Sequence, residues 1–402
     1  MPSSRIANSS ELFCPTRALR LLFEVVNRGE RRADRRSSQR EYPGCHLLFS
    51  PLGSKHRLRR GSSPPCYSSK NSSTLNMATA NRLHYYRRVL AAYLLPGNSQ
   101  LNFWHDVPQV NSNAPAGALG EYHMLFFEKA NYAGPHDAAG IPMLDYRGRI
   151  GVQYNPIAIA QWGLGNYNLF CRGAEEKHRR KVLAACDWLC ANLKENRFGV
   201  PAWHHHFDWE YHSRLKAPWY SGLAQGQGIS LLVRAYYEFQ EPCYLAAAVR
   251  AFFSFQKSIE QGGVSFGDQN GNVWFEEYIV SPPTHILNGF IWAAWGVYDY
   301  FLATQDPSAK DLFSRTVQTL RSNLQHYDLG FWSLYEQSGT RLPMLASPFY
   351  HRLHIVQLRV MYRITGDEIF SHYADRWENY ARDPGKRTRA LCYKSAFKLC
   401  YY

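Results

Sequence analysis

The chain has 402 residues, of which 45% are hydrophobic and 15% aromatic, with a formal net charge of +14. That length allows a large core and one or two domains, and no run reaches the ~18–20 apolar residues of a membrane span. The sequence has no P-loop, no GxGxxG after a strand and no GxSxG, which removes the common nucleotide-binding and serine-hydrolase readings.

The charge is unevenly placed. Residues 1–76 hold 14 of the 46 Lys and Arg but 5 of the 32 Asp and Glu, so +9 of the +14 lies there. This stretch is rich in Arg, Ser and Pro and lacks periodicity. Arg31-Arg32 and Arg35-Arg36 look like a nucleic-acid or targeting patch, but a disordered basic tail, or an over-extended start before Met77, is the reading preferred here. Arg20–Val26 is too short for a secretory apolar core. The body keeps a modest positive balance, compatible with an acidic polysaccharide. The nine cysteines are irregularly spaced and odd in number, which favours a reducing compartment.

Residues 77–150 read as an irregular N-terminal subdomain. Leu83–Leu94 predicts a short helix, Phe103-Trp104-His105 with Val107-Pro108 an aromatic loop, and Tyr122–Phe127 a strand. From Pro156 helical periods dominate, over 156–168, 176–193, 221–238, 242–259, 285–303, 308–325, 350–364 and 367–380. Short β-like pieces lie between, such as Val264–Phe266 and Val273–Phe275. Residues 151–382 are expected to be the catalytic domain and 383–402 a C-terminal tail.

Ala217–Phe239 organises the rest. Trp219-Tyr220 precedes a helical run that contains Gly226 and Gly228. Each glycine costs up to ~1 kcal/mol against alanine in a helix, so close packing or a ligand should account for them. Gln225 and Gln227 both donate and accept, which suits sugar hydroxyls; a tightly packed buried helix accounts for the run equally well.

Ala217–Phe239 resembles the core motif of the D-glucuronyl C5-epimerase family, enzymes that convert glucuronate to iduronate in heparan-type polymers. Four more stretches match in order: Tyr154–Ile157 with Ile159–Leu164, Asp187-Trp188-Leu189, Trp274–Tyr278 with Leu287–Phe290, and Tyr350-His351 with His354-Ile355 and Gln357-Leu358. The resemblance runs roughly from Leu144 to Tyr380. With the helix count it implies a mainly α fold, an (α/α) barrel or toroid with short β segments in the connecting loops. The family's animal members carry a β-rich domain between the IAQWGL-like and DWL-like motifs; here Asn168 to Arg180 joins them directly.

Inverting C5 of a uronate requires a base on one face of the ring, an acid on the other, and groups that offset charge on the carboxylate. Glu276-Glu277-Tyr278 follows a predicted strand, where alternation would aim Glu276 and Tyr278 one way and Glu277 the other unless the strand bends. A solvated acidic turn is the plainer reading. The resemblance makes Glu277 a base, or a group that tunes one, and Tyr278 a proton donor or acceptor. It also makes Tyr335 and Tyr350 catalytic, and His354 a substrate contact. Tyr350, His354 and Gln357 recur at one-face helical spacing, with His351 about 100° away. Trp219, Tyr220, Gln225, Gln227, Asn288, His351 and Gln357 complete the expected substrate-binding set. The arginine the family places three residues after Tyr335 is Ser338 here, and Arg341 or Arg352 could hold the carboxylate instead.

Trp203 with His204, His205, His206 and Asp208 has metal-binding residue types but not the spacing, so no metal is expected. Proton transfer needs no cofactor. The expected partner is a glucuronate-containing acidic polysaccharide of the heparosan type, as in heparan sulfate biosynthesis, with no nucleic acid, no membrane span and a homodimer left open. The compartment favoured is the cytoplasm, with the secretory lumen as the alternative. A uronate lyase shares the first proton abstraction, a non-catalytic binding protein fits the loss at Ser338, and a glycosidase would need two opposed carboxylates, of which only Glu277 is persuasive.

Overall fold

Successive helical hairpins build the protein. A computed structural model describes residues 107–146 and 149–401. The expected basic tail, the helix over Leu83–Leu94 and the loop Phe103-Trp104-His105 lie outside the described residues. Contacts group the described residues up to Lys398 into one unit.

In chain order the described residues form α1 (Phe127–Ala130), β1 (Leu144–Asp145), β2 (Val152–Gln153), α2 (Pro156–Gly173), α3 (Glu176–Asn192), β3 (Leu193–Glu195) and β4 (Pro201–His205). Then come β5 (Trp209–Glu210), β6 (Arg214–Leu215), β7 (Trp219–Tyr220), α4 (Gly222–Phe239), α5 (Pro242–Phe252), β8 (Ser265–Gly267) and β9 (Val273–Phe275). Helices α6 (Leu287–Thr304), α7 (Pro307–Asn323), α8 (Pro348–Thr365), α9 (Glu368–Arg382) and α10 (Pro384–Tyr401) complete the order. The stretch expected to be a tail is thus helical, and Lys394 in it donates to the Leu345 carbonyl at 2.6 Å. Tyr122–Phe127 is not a strand: Met124 makes a single bridge to Val110, and Phe127 already opens α1.

The boundaries reflect ordinary capping chemistry. Asn155 and Ser221 accept backbone N–H groups at the starts of α2 and α4, and Ser347 does so for α8. Proline opens α2, α5, α7 and α8. Left-handed residues Ala174, Gln240, Gln305 and Gly366 end α2, α4, α6 and α8. Only Ala174 and Glu175 separate α2 from α3, so no further domain fits there.

Helices α2, α4, α6 and α8 pack side by side, and α3, α5, α7 and α9 each return along the outside of the helix before. The inner helices α4 and α6 are buried over nearly their whole length, whereas α7 and α9 bury one stripe each. The fold is mainly α, an (α/α) arrangement with short β pieces in the loops. The crossing of α4 with α6 is very close. A Cβ on Gly226 would lie 2.6 Å from Ala293 Cα, and one on Gly296 would lie 2.3 Å from Gly226 Cα. Close packing therefore accounts for the glycines of α4, Gly228 resting against the Trp203 ring.

Because every inner helix is followed by an outer return, the inner helices run parallel. Segment 111–126 spans their C-terminal halves. Asn168 of α2 accepts from Tyr122 N at 2.6 Å, Arg234 of α4 donates to Gly120 O at 3.0 Å, and Arg363 of α8 donates to Asn111 O at 2.6 Å. On α6, Asp299 meets His123 at 3.1 Å and the Arg234 guanidinium at 2.5 and 3.0 Å. The opposite end, where the N-termini of α4, α6 and α8 gather, is left for the loops and the site.

Candidate active site

Strand β9 delivers the two glutamates. It pairs with β8 through Phe275, then the chain bends at Glu277 and Tyr278. The strict alternation of a strand ends before them, so Glu277 and Tyr278 reach the same cluster. Glu276 has another task. Its carboxyl accepts from Thr284 N at 3.3 Å, His285 N at 3.1 Å and His285 Nδ1 at 2.6 Å. His285 has φ of 50°, a left-handed conformation that costs energy for a residue with a Cβ. Glu276 braces that turn, which leads into α6.

Glu277 is buried and accepts from Asn288 Nδ2 at 3.3 Å. A Cβ on Gly289 would overlap Glu277 Oε2, so that glycine makes room for the carboxyl. Burial pushes the Glu277 carboxyl up to about 8; the Tyr278 hydroxyl and Asn288 offset part of this, while Glu336 and Glu276 add to it. A carboxyl so placed exchanges protons near neutrality.

Three tyrosines converge with it. The Tyr335 and Tyr350 rings lie 4.8 Å apart and belong to one cluster with Tyr278, Tyr211, Ile286 and Ala346. Burial, reinforced by Glu277, raises all three phenols above their ordinary value. They are held as protonated groups able to donate. Tyr211 lies 4.6 Å from Tyr278 and bonds to the buried Glu336, which also accepts from His212. No motif or period singles out Tyr211, His212 or Glu336. Glu336 directly follows Tyr335, but nothing in the spacing marks its partners, 125 and 124 positions away.

The other predicted residues separate into groups. Asn288 touches Glu277, and Gln357 donates to Asn288 O at 2.9 Å. Trp219 is stacked on His205 at 3.8 Å, with its ring 5.7 Å from Tyr278. Tyr220 is half-buried, edge-on to His204. Gln225 and Gln227, expected to face sugar, are in the core instead, because α4 is buried all round. Gln225 accepts from Trp203 N at 2.9 Å and donates to Ser254 Oγ at 3.0 Å. Gln227 accepts from Gln161, which itself accepts from the buried Lys129. His351 stacks on Trp332 and bridges Ser333 and the Trp377 carbonyl, so it ties α8 to α9 rather than facing a ligand. His354 is fully buried beside Ser333 at 3.1 Å, and burial keeps it neutral. Arg341 and Arg352 are exposed. Ser338, where the family has arginine, meets Thr340 at 3.3 Å. Of the histidine run, His205 is sandwiched in the core, and among the described residues no group of three or more His, Cys, Asp or Glu could hold a metal ion.

Residues 198–379, which contain all four predicted catalytic residues, match the family described as the D-glucuronyl C5-epimerase C-terminus. This part of the chain is therefore similar to the D-glucuronyl C5-epimerases. A D-glucuronyl C5-epimerase of Caenorhabditis elegans is 34% identical over 230 residues, 53% of this chain and 36% of that protein. An uncharacterized protein of Methanocaldococcus jannaschii is 28% identical over 199 residues, 49% of this chain and 63% of its own length. The chain thus spans between about a third and two thirds of the length of these two relatives. Among solved structures, a cellobiose 2-epimerase from Bacillus thermoamylovorans aligns with a TM-score of 0.42 and 13% identity, over 76% of this chain and 70% of that one. Among the described residues no helix is long and apolar enough to cross a membrane.

Proposed function

We propose that this chain is a carbohydrate C5-epimerase that inverts D-glucuronate residues to L-iduronate in a heparosan-like polysaccharide. One observation carries the reading: a buried carboxyl pushed up to about 8 sits among tyrosines on the segment that matches the family. A group titrating near neutrality is suited to take and return a proton within one cycle. The N-termini of α4, α6 and α8 lie at this end, and their partial positive charge favours an anionic sugar.

In the proposed reaction Glu277, in its ionised form, removes the C5 hydrogen directly or through Tyr278. The electron pair left at C5 delocalises into the substrate carboxylate. The hydroxyl pair Tyr335 and Tyr350 then gives a proton to the other face, and the phenolate left behind is reprotonated, as Glu277 releases the proton it took, before the next turnover. The weakly basic body and the exposed Arg341 beside the Ser338 loop are consistent with an acidic polymer.

The test is incubation with an unsulfated glucuronate polymer in deuterated water, read by proton NMR. Deuterium at C5 together with new iduronate signals is expected. Unsaturated uronate ends would indicate the lyase instead, by expulsion of the 4-O substituent after the same abstraction. Absence of any exchange, on sulfated and unsulfated polymers alike, would replace the epimerase with a binding protein.

A further inference from the structure

Two buried carboxyl groups meet the tyrosine cluster, and the proposed reaction uses only Glu277. The other, Glu336, is 1% exposed. Its frame is rigid. Tyr335 N bonds to Met344 O at 2.8 Å and Gln337 N to Thr284 O at 2.8 Å, so the backbone is tied on either side of it. Both its oxygens are engaged by one small element, the hairpin of β5 and β6. Tyr211 Oη donates to one oxygen and His212 Nε2 meets the other.

That hairpin has only two residues in each strand, Trp209 and Glu210 against Leu215 and Arg214. So short a hairpin is not stable by itself. Its base is held: Phe207, Leu215 and Trp219 pack together, and Asp208 meets Arg214 at 2.7 Å and accepts from Ala217 N at 2.9 Å. Its tip is exposed except for Tyr211, whose ring covers Tyr278 and joins the cluster of Tyr335 and Tyr350. The Tyr211 and His212 bonds to Glu336 therefore run from the tip to the wall of the tyrosine cluster.

We propose that Glu336 is a positioning residue that anchors the 207–219 hairpin, through Tyr211 and His212, as a roof over the catalytic tyrosines. The proposal rests on the epimerase reading for what the roof covers, but not for the anchor itself. A polymer chain enters when the tip lifts, and closing returns both donors to Glu336 while the Tyr211 ring seals the Tyr278 side from water.

Hydrogen exchange of amides 207–217 tests the anchor without substrate. In Tyr211→Phe, which keeps the ring, and in Glu336→Gln, those amides are expected to exchange roughly ten- to a hundredfold faster, the range for a lost hydrogen bond to a charged group. Amides of α4 and α6 should be unchanged. On polymer, both variants should raise KM more than they lower kcat, whereas Tyr278→Phe should lower kcat with the hairpin still protected. Should Glu336→Gln fail to fold, Tyr211→Phe decides alone. Unchanged protection of 207–217 in Tyr211→Phe overturns the proposal, whatever the activity. A wild type with no C5 exchange would remove the epimerase reading, and hydrogen exchange would still decide the anchor.

Discussion

Asp299 and Glu277, buried at opposite ends of the inner helices, are treated in opposite ways. At the C-terminal end burial alone would raise Asp299, but the Arg234 guanidinium and His123 overcome it and hold its carboxyl well below the usual carboxylate range. At the N-terminal end burial raises Glu277 to about 8, the neutral Tyr278 and Asn288 offset only part of this, and the carboxyls of Glu336 and Glu276 add to it. A compensated charge is a structural tie; an uncompensated one stores a proton for use. Burial therefore does not separate core from site, whereas the partners do.

The comparison breaks most visibly under truncation. Asp299→Ala leaves Arg234 buried with no counter-ion and should cost about 3–5 kcal/mol, read from urea or thermal unfolding. Equal stability of variant and wild type would show that this end is not the tie described. Glu277→Gln should leave the fold intact and lower C5 exchange about 10²–10⁴-fold. Tyr350→Phe should lose exchange by a similar factor, and retention of activity in both would remove the proton role from this end.

The pH dependence sharpens the contrast. Asp299 is depressed in the folded state, so its contribution is present above the ordinary value of 3.8 and is lost as the pH falls below it. Glu277 is raised, so the folded protein keeps a proton between 4.5 and about 8 that the unfolded chain releases. Stability on its account declines as pH rises through that window. Glu277→Gln should consequently gain on the wild type from pH 5 to pH 9, by on the order of a few kcal/mol. A constant difference in melting temperature across that range would contradict the assignment.

Smaller effects are expected around the site. Gly289→Ala pushes a methyl against Glu277 and should cost about 1–3 kcal/mol, with an activity loss of up to ~100-fold from the displaced carboxyl. Arg352→Ala, on the outer side of α8, should change stability by under about 0.5 kcal/mol and leave exchange near wild type. A large loss of substrate affinity there would return the carboxylate-holding role to Arg352.

Much of the helical scaffold was legible because its signals are local. The predicted helices coincide with α2 to α9 within a few residues, apart from the ends of α2 and α5, since most caps and periods lie within one turn of the boundary they set. The motif Trp274–Tyr278 was legible as a strand end, and the resemblance pointed to Glu277, but strand alternation could not put Glu277 and Tyr278 on one side. That depends on the bend at Glu277 and on the claim of Thr284 and His285 on Glu276. Gln225 and Gln227 read as sugar contacts because an amide has the same chemistry in a core as in a cleft. Tyr211 and Glu336 could not be paired at all, being 125 positions apart.

The sequence by itself determined the helices, the order of the motifs and the residue types a proton-transfer site requires. Tertiary structure alone decided which of those residues meet, which are spent as braces, and which carboxyl is left without a cation. The physical reason is range. Helix and cap energies act over three or four residues and are written in the local order of side chains. Desolvation and long-range pairing depend on what the fold brings within a few ångströms, and the same glutamate can be a tie or an acid according to that company alone.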